Sequence, residues 1–142
     1  MRILIDADGC PVVDIAIACA RRYHIEVVLV CDTAHDFVRA FATTVTVSKG
    51  ADSADFALVN RIAPGDIVIT QDYGLAAMSL ARKACVLHQD GMRYTDENMN
   101  ALLMARHTAR KIRNGGGRLK GPAKRTRGQD ESFQEALEAL LS

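Results

Sequence analysis

Five short runs built mainly of β-branched and aliphatic residues recur along this chain: Arg2 to Ile5, Ile25 to Cys31, Thr44 to Val47, Ile67 to Thr70 and Cys85 to Leu87. A strand with one face in water alternates polar and apolar residues, whereas a continuous run is buried on both faces. Between the runs lie segments of helical character. Pro11 opens one from Val12 to Tyr23, a weaker one contains Phe37, Val38 and Phe41, another covers Asp52 to Ile62, and a fourth covers Leu75 to Arg82. From Thr95 to Arg113, Met99, Leu102, Leu103, Ala105, Ala109 and Ile112 recur at spacings suited to a long amphipathic helix. Strands separated by helices predict an α/β domain with a mainly parallel, roughly five-stranded sheet covered on both faces.

At 142 residues such a domain buries roughly two thirds of the surface of its unfolded chain and needs neither metal nor disulfide to fold. Cys10, Cys19, Cys31 and Cys85 are widely spaced and form no C-x-x-C pair, which predicts reduced thiols and a cytoplasmic protein. No apolar run approaches the roughly 18 residues of a membrane span. The amino terminus reaches Asp6 and Asp8 too soon for a signal peptide.

The formal net charge of +1 conceals a segregated chain. Residues 1–97 hold 9 basic and 13 acidic groups, residues 98–129 hold 9 basic and none acidic, and residues 130–142 hold 4 acidic and none basic. A block of like charge of this size marks an interaction surface or a disordered segment, and the natural partner for Lys and Arg is phosphate. Arg110, Lys111, Arg113, Arg118, Lys120, Lys124, Arg125 and Arg127 are the candidate contacts. Those on the long helix equally suit a solvated face. Residues 114–128, with Gly115-Gly116-Gly117 and little apolar content, read as a flexible basic loop joining a domain over 1–113 to a terminal helix over 129–142. Phe133, Leu137, Leu140 and Leu141 share a face of that helix and predict docking onto the same domain. The basic stretch contains no Tyr, Phe or Trp, so base stacking is not its method and backbone affinity without sequence reading is expected.

In open parallel sheets, ligands bind outside the carboxyl ends of the strands. Asp6 ends the first run and Asp72 follows the fourth, whereas Asp66 precedes the fourth and belongs at the opposite edge as a turn residue. Asp52 and Asp55 stand at i and i+3 near a helix start, where acids serve equally as caps or as two ligands to one region. Asp8 suits either a cap for the helix after Pro11 or a ligand. Carboxylates converging on one edge need a cation, and hard ions such as Mg²⁺ or Mn²⁺ prefer oxygen donors and keep waters that a phosphate can replace.

Asp6-Ala-Asp-Gly-Cys-Pro11, Gly50-Ala-Asp-Ser-Ala-Asp55, Gly65-Asp-Ile-Val-Ile-Thr-Gln-Asp72 with Tyr-Gly-Leu-Ala after it, and Gly121-Pro-Ala-Lys-Arg-Thr126 together resemble the YaiI/YqxD family of uncharacterised bacterial proteins. The resemblance spans nearly the whole chain. That family is grouped with PIN-like domains, which implies a three-layer α/β/α fold and, by analogy, metal-dependent ribonuclease chemistry. Carried across, the pattern makes Asp6, Asp55 and Asp72 the catalytic acids, with Asp8 and Asp52 as further ligands. The usual pattern has one more acid shortly after the position of Asp72, and Tyr73 to Lys83 contains none.

Three functions follow as expectations. The first is a nuclease that cuts RNA with Asp-bound Mg²⁺ or Mn²⁺ and an activated water. The second is a nucleic-acid-binding protein without catalysis. The third is a haloacid-dehalogenase-like phosphohydrolase, which Asp6-x-Asp8, Ser48 and Lys49 imitate but which the placement of Asp66 before its strand opposes. Cys10 lacks an obvious His partner for nucleophilic work, and His24, His35, His88 and His107 show no metal spacing and read as surface or packing residues.

Overall fold

The computed structural model describes residues 1–32, 38–48, 53–115 and 124–142. Its elements run β1 (Arg2–Asp6), α1 (Val13–Arg22), β2 (Glu26–Asp32), β3 (Thr43–Val47), α2 (Ser53–Val59), β4 (Ile67–Ile69), α3 (Tyr73–Ala81), β5 (Cys85–Leu87), β6 (Arg93–Tyr94), α4 (Asp96–Asn114) and α5 (Arg127–Leu141). The sheet order is β3-β2-β1-β4-β5-β6. All neighbours pair in parallel except β5 and β6, which are antiparallel. The sixth strand, only two residues long, is too short to leave a period in the sequence.

The continuous apolar runs are explained by two cores, one on each face of the sheet. Ile3 and Ile5 of β1, Leu29 of β2 and Ile67 and Ile69 of β4 pack with α1 and α5. Leu4, Val28, Val30, Val68 and Val86 point the other way and pack with Leu58 of α2, Leu75 of α3 and Met99 of α4. The result is three layers, α/β/α. Successive strand residues face opposite sides, so an apolar residue is needed at every position of the central strands. β3, at the edge, satisfies its half-exposed setting with Thr43, Thr44 and Thr46.

Several boundaries differ from the sequence expectation. Phe37 lies outside the described residues, and residues 38–42 form no helix, only a turn and bend over 40–42. Val38 and Phe41 are exposed there, and the Phe41 ring lies 3.6 Å from the Arg21 guanidinium. α1 begins two residues after Pro11 with Val12 at its N-cap and no side-chain cap. α5 begins at Arg127 because Thr126 and Gln129 form a reciprocal capping box. α4 packs through Met99, with Leu102 half-buried, while Leu103, Met104 and Ile112 remain exposed. Its predicted apolar face is therefore covered only over the first turns. All four cysteines are free thiols. Among the described residues no helix is long and apolar enough to cross a membrane.

α5 lies against α1 through Phe133 and Leu137, both fully buried, with Leu140 and Leu141 partly buried beside them. Arg22 of α1 pairs with Glu138 of α5. Residues 116–123 of the basic loop, with Arg118 and Lys120, lie outside the described residues, as do Lys49 and Asp52.

Candidate functional site

The chain leaves β1 to build β2 and β3 on one side and returns to place β4 on the other side of β1. The switch in direction therefore opens a crevice at the carboxyl ends of β1 and β4. A cleft of about 690 Å³ occupies this place, lined by Asp6, Asp8, Ala54, Asp55, Gln71, Asp72, Tyr73 and His88. Four carboxylates from three separate parts of the sequence thus meet at one edge. No Lys or Arg is among these lining residues. A groove of similar size between α1 and α5, lined by Asp14, Ile15, Ala18, Cys19, Arg21, Arg22 and Gln134, holds no such cluster.

Asp6 is held by the strand itself, and its Oδ2 accepts a 3.0 Å hydrogen bond from Thr70 Oγ1. The same Thr70 hydroxyl accepts from the Asp72 N–H at 3.0 Å, and the Tyr94 hydroxyl donates to the Thr70 carbonyl at 3.4 Å. Thr70 thereby ties the ends of β1 and β4 together. It is 2% exposed and serves as more than a strand former. Asp72 is the N-cap of α3, its Oδ1 accepting from the Leu75 N–H at 3.0 Å, which leaves the second carboxylate oxygen for other work. Gly74 gives that carboxylate room, since a Cβ there would stand 3.2 Å from Oδ1. Asp55 enters from the first turn of α2. Asp8 does not cap α1; its Oδ2 accepts from the Asp32 N–H at 3.0 Å, locking the loop after β1 to the end of β2. Gly9, at φ 73°, makes the turn that follows possible.

The electrostatics follow from this crowding. Burial pushes the Asp6 carboxyl up to about 6; the Thr70 hydrogen bond opposes the rise, and the charges of Asp55, Asp72 and Asp8 add to it. Ionising Asp6 at neutral pH therefore costs the metal-free fold stability. The carboxyl of an unfolded chain ionises near 3.8, so the cost is absent below that pH, grows as pH rises towards about 6, and is complete above it. Allowing for partial solvent access, it amounts to about 2 kcal/mol. In chelator, Asp6→Asn is expected to resist urea better than the parent by that amount at pH 7.5, and the two proteins should converge near pH 4.

Cys10 lies beside the cleft, but burial pushes its thiol up to about 11, which rules against a thiolate nucleophile at neutral pH. Asp66 is at the far edge of the sheet. It is 2% exposed and accepts from the N–H groups of Arg2 at 3.0 Å and Ala63 at 2.8 Å, a turn residue with no access to the cleft. Of the basic candidates, Arg110, Lys111, Lys124 and Arg127 are exposed; the side chain of Arg113 lies outside the described residues. Arg125 has a different place. It donates to Asp130 Oδ1, Asp90 Oδ1 and the Gln89 carbonyl, each at 2.7 Å, and its fork is fully engaged within the fold. His88, read from sequence as a surface or packing residue, lines the cleft. Its signal was position, immediately after the apolar run of β5.

Comparison with known proteins adds the family. The model described as "Uncharacterized BCR, YaiI/YqxD family" matches residues 4–142. The chain belongs to that family. A relative, the UPF0178 protein of Exiguobacterium sibiricum, is 58% identical over 142 residues, covering 100% of this chain and 97% of its own. The UPF0178 protein of Ruminiclostridium cellulolyticum is 47% identical over 137 residues, 96% of this chain and 90% of the relative. That of Clostridium acetobutylicum is 43% identical over 143 residues, 99% and 97% of the two chains. No solved structure matches. The YaiI/YqxD match runs from within β1 to the end of α5 and takes in every residue of the cleft.

Proposed function

We propose that the cleft is the active site of a metal-dependent nuclease that acts on RNA. The observation that carries this reading is the convergence of Asp6, Asp8, Asp55 and Asp72 on one cleft, with Asp6 penalised by burial and by the other three charges. Among the described residues no three His, Cys, Asp or Glu groups close around a single point. The donor set suits Mg²⁺ or Mn²⁺ nonetheless, because such an ion takes one or two carboxylates and keeps most of its waters. Asp6 and Asp72 would hold it, with Asp55 and Asp8 flanking; Asp52 lies outside the described residues. A bound divalent cation supplies neutralisation of the cluster, activation of a water and stabilisation of the leaving oxygen.

The chain's own residues supply the geometry. Thr70 fixes Asp6 and Asp72 relative to each other, and the α3 N-terminus fixes Asp72 in turn. Exposed Arg110, Lys111, Lys124 and Arg127 are the proposed phosphate contacts, Arg125 being engaged elsewhere. Four phosphates contacted on a single strand give a slope of about −2.8 in log K against log salt. Oligonucleotide affinity is thus expected to fall roughly fiftyfold between 50 and 200 mM salt, measured by fluorescence anisotropy.

The reading is tested by incubating single-stranded RNA with the protein in Mn²⁺, in Mg²⁺ and in chelator. Cleavage that needs the metal and disappears in Asp6→Asn and Asp72→Asn supports it. Salt-sensitive binding that survives both substitutions, with no cleavage in either metal, selects the second reading, a nucleic-acid-binding protein without catalysis.

A further inference from the structure

The lining of the cleft is chemically mixed. Asp6, Asp8, Asp55 and Asp72 repel any phosphodiester, whereas Gln71, Tyr73 and His88 line the same cleft with uncharged polar groups. A substrate oxygen entering such a cleft needs donors from these uncharged residues. A Lys or Arg in their place would form an ion pair with the carboxylates and neutralise them without a metal; a neutral donor would not.

His88 is built to be that neutral donor. It follows β5 at the carboxyl edge of the sheet, in the tight connection to β6, where its N–H donates to the Met92 carbonyl at 2.8 Å and its carbonyl accepts from the Gly91 N–H at 2.9 Å. The Asp90 N–H donates to His88 Nδ1 at 3.1 Å. That bond occupies the Nδ1 lone pair, so the neutral ring carries its proton on Nε2. Nε2 has no hydrogen-bond partner among the described residues. Burial also lowers the His88 pKa, in keeping with a neutral imidazole. The Tyr94 ring stands edge-on to the imidazole at 6.1 Å and limits its tilt.

The connection that carries His88 is held from outside by the C-terminal segment. Arg125 grips the Asp90 carboxylate and the Gln89 carbonyl and is fixed in turn by Asp130 of α5. Gly91, at φ 92°, lies so close to α5 that a Cβ would stand 2.6 Å from the Ser132 carbonyl oxygen. His88 thus sits on a turn clamped by a helix that comes from the far end of the sequence, an arrangement that fixes the direction of one ring nitrogen.

We propose that His88 is a substrate-contacting residue of the cleft, its Nε2–H donating to a non-bridging phosphate oxygen of a bound phosphodiester. This rests on the reading of the cleft as a phosphodiester site and adds to it the residue that orients the phosphate. It also excludes His88 as a metal ligand, because ligation through Nε2 would move the proton to Nδ1, against the Asp90 N–H.

The test uses the full chain labelled with ¹⁵N at histidine and a single-stranded RNA oligonucleotide as probe, in chelator so that no cleavage intervenes. The expected spectrum shows His88 protonated at Nε2 and unprotonated at Nδ1, with the Nε2 resonance moving on addition of RNA. His88→Ala should weaken RNA binding roughly tenfold, as for one lost hydrogen bond to a charged group. His88→Gln, whose amide can present a donor in the same direction, should recover most of the loss. A proton on Nδ1 overturns the proposal. So does RNA binding that leaves the His88 resonances and the His88→Ala affinity unchanged, and if such a protein still cleaves RNA with metal, the nuclease reading survives alone. RNA that moves His88 while no divalent metal supports cleavage keeps the His88 contact and removes the nuclease reading. Absence of RNA binding in chelator, together with absence of binding and of cleavage in Mn²⁺, overturns both.

Discussion

Asp6→Asn and Asp72→Asn are each expected to yield a folded protein whose Mn²⁺-dependent RNA cleavage is lost, by more than the 10–100-fold typical of residues one step removed from a metal. Both substitutions preserve shape and local hydrogen bonding. Asn at position 6 still accepts from Thr70 Oγ1 through its amide oxygen, as Asp6 does at 3.0 Å. Asn at position 72 remains among the best N-cap residues, so the bond from Leu75 that starts α3 persists. What changes is one unit of charge, and a hard divalent ion responds to charge. Asp66→Asn provides the contrast. Its carboxylate is buried at the opposite edge of the sheet, so the variant should lose stability while its cleavage per folded molecule stays at the parent level. The measurement is initial rate against metal concentration for all three variants, with folded fraction fixed by near-ultraviolet circular dichroism. Parent-level cleavage by Asp6→Asn would remove the proposed function.

The sheet was readable because physics leaves few choices at its centre. Residues of β1, β2 and β4 pack alternately into the two cores, and no polar residue can occupy either face, so the strands stand out as unbroken apolar runs. The edges were less readable. Arg93 and Tyr94 are a strand only through their pairing with Leu87 and Val86 across a short connection, and two residues are too few to show a period; the apolar residues Val38 and Phe41 lie outside helix and strand with little burial. The carboxylates were legible for the same reason as the strands: Asp6 and Asp72 stand where a run stops. His88 obeys the same rule at the end of β5, yet a single histidine has no spacing partner, and its companions in the cleft are 15 or more positions away. Arg125 was hidden in another way. Among nine basic residues from 98 to 129 nothing local distinguishes the one whose partners, Asp90 and Asp130, are a loop contact and a helix contact.

The docking of α5 joins these observations, and Phe133→Ala is expected to show it. Phe133 is fully buried in the core between the sheet, α1 and α5. Truncating a buried Phe to Ala costs about 3–5 kcal/mol, which for a chain of this length lowers the melting temperature by roughly 10 °C. The loss should not stay local. The backbone at Ser132 and Phe133 is the surface against which Gly91 closes, and Asp130, one turn earlier, fixes Arg125 on the His88 connection. Loosening α5 therefore releases the turn that aims His88 into the cleft, while Thr70, Asp6 and Asp72 keep their mutual bonds through β1 and β4. Hydrogen exchange on Phe133→Ala should show deprotection spreading from α5 to residues 88–92 and sparing β1 and β4. Binding of an RNA oligonucleotide in chelator should weaken at a temperature where the variant is still folded. Deprotection confined to α5, with residues 88–92 as slow as in the parent, would mean that the C-terminal helix stabilises the fold without governing the site.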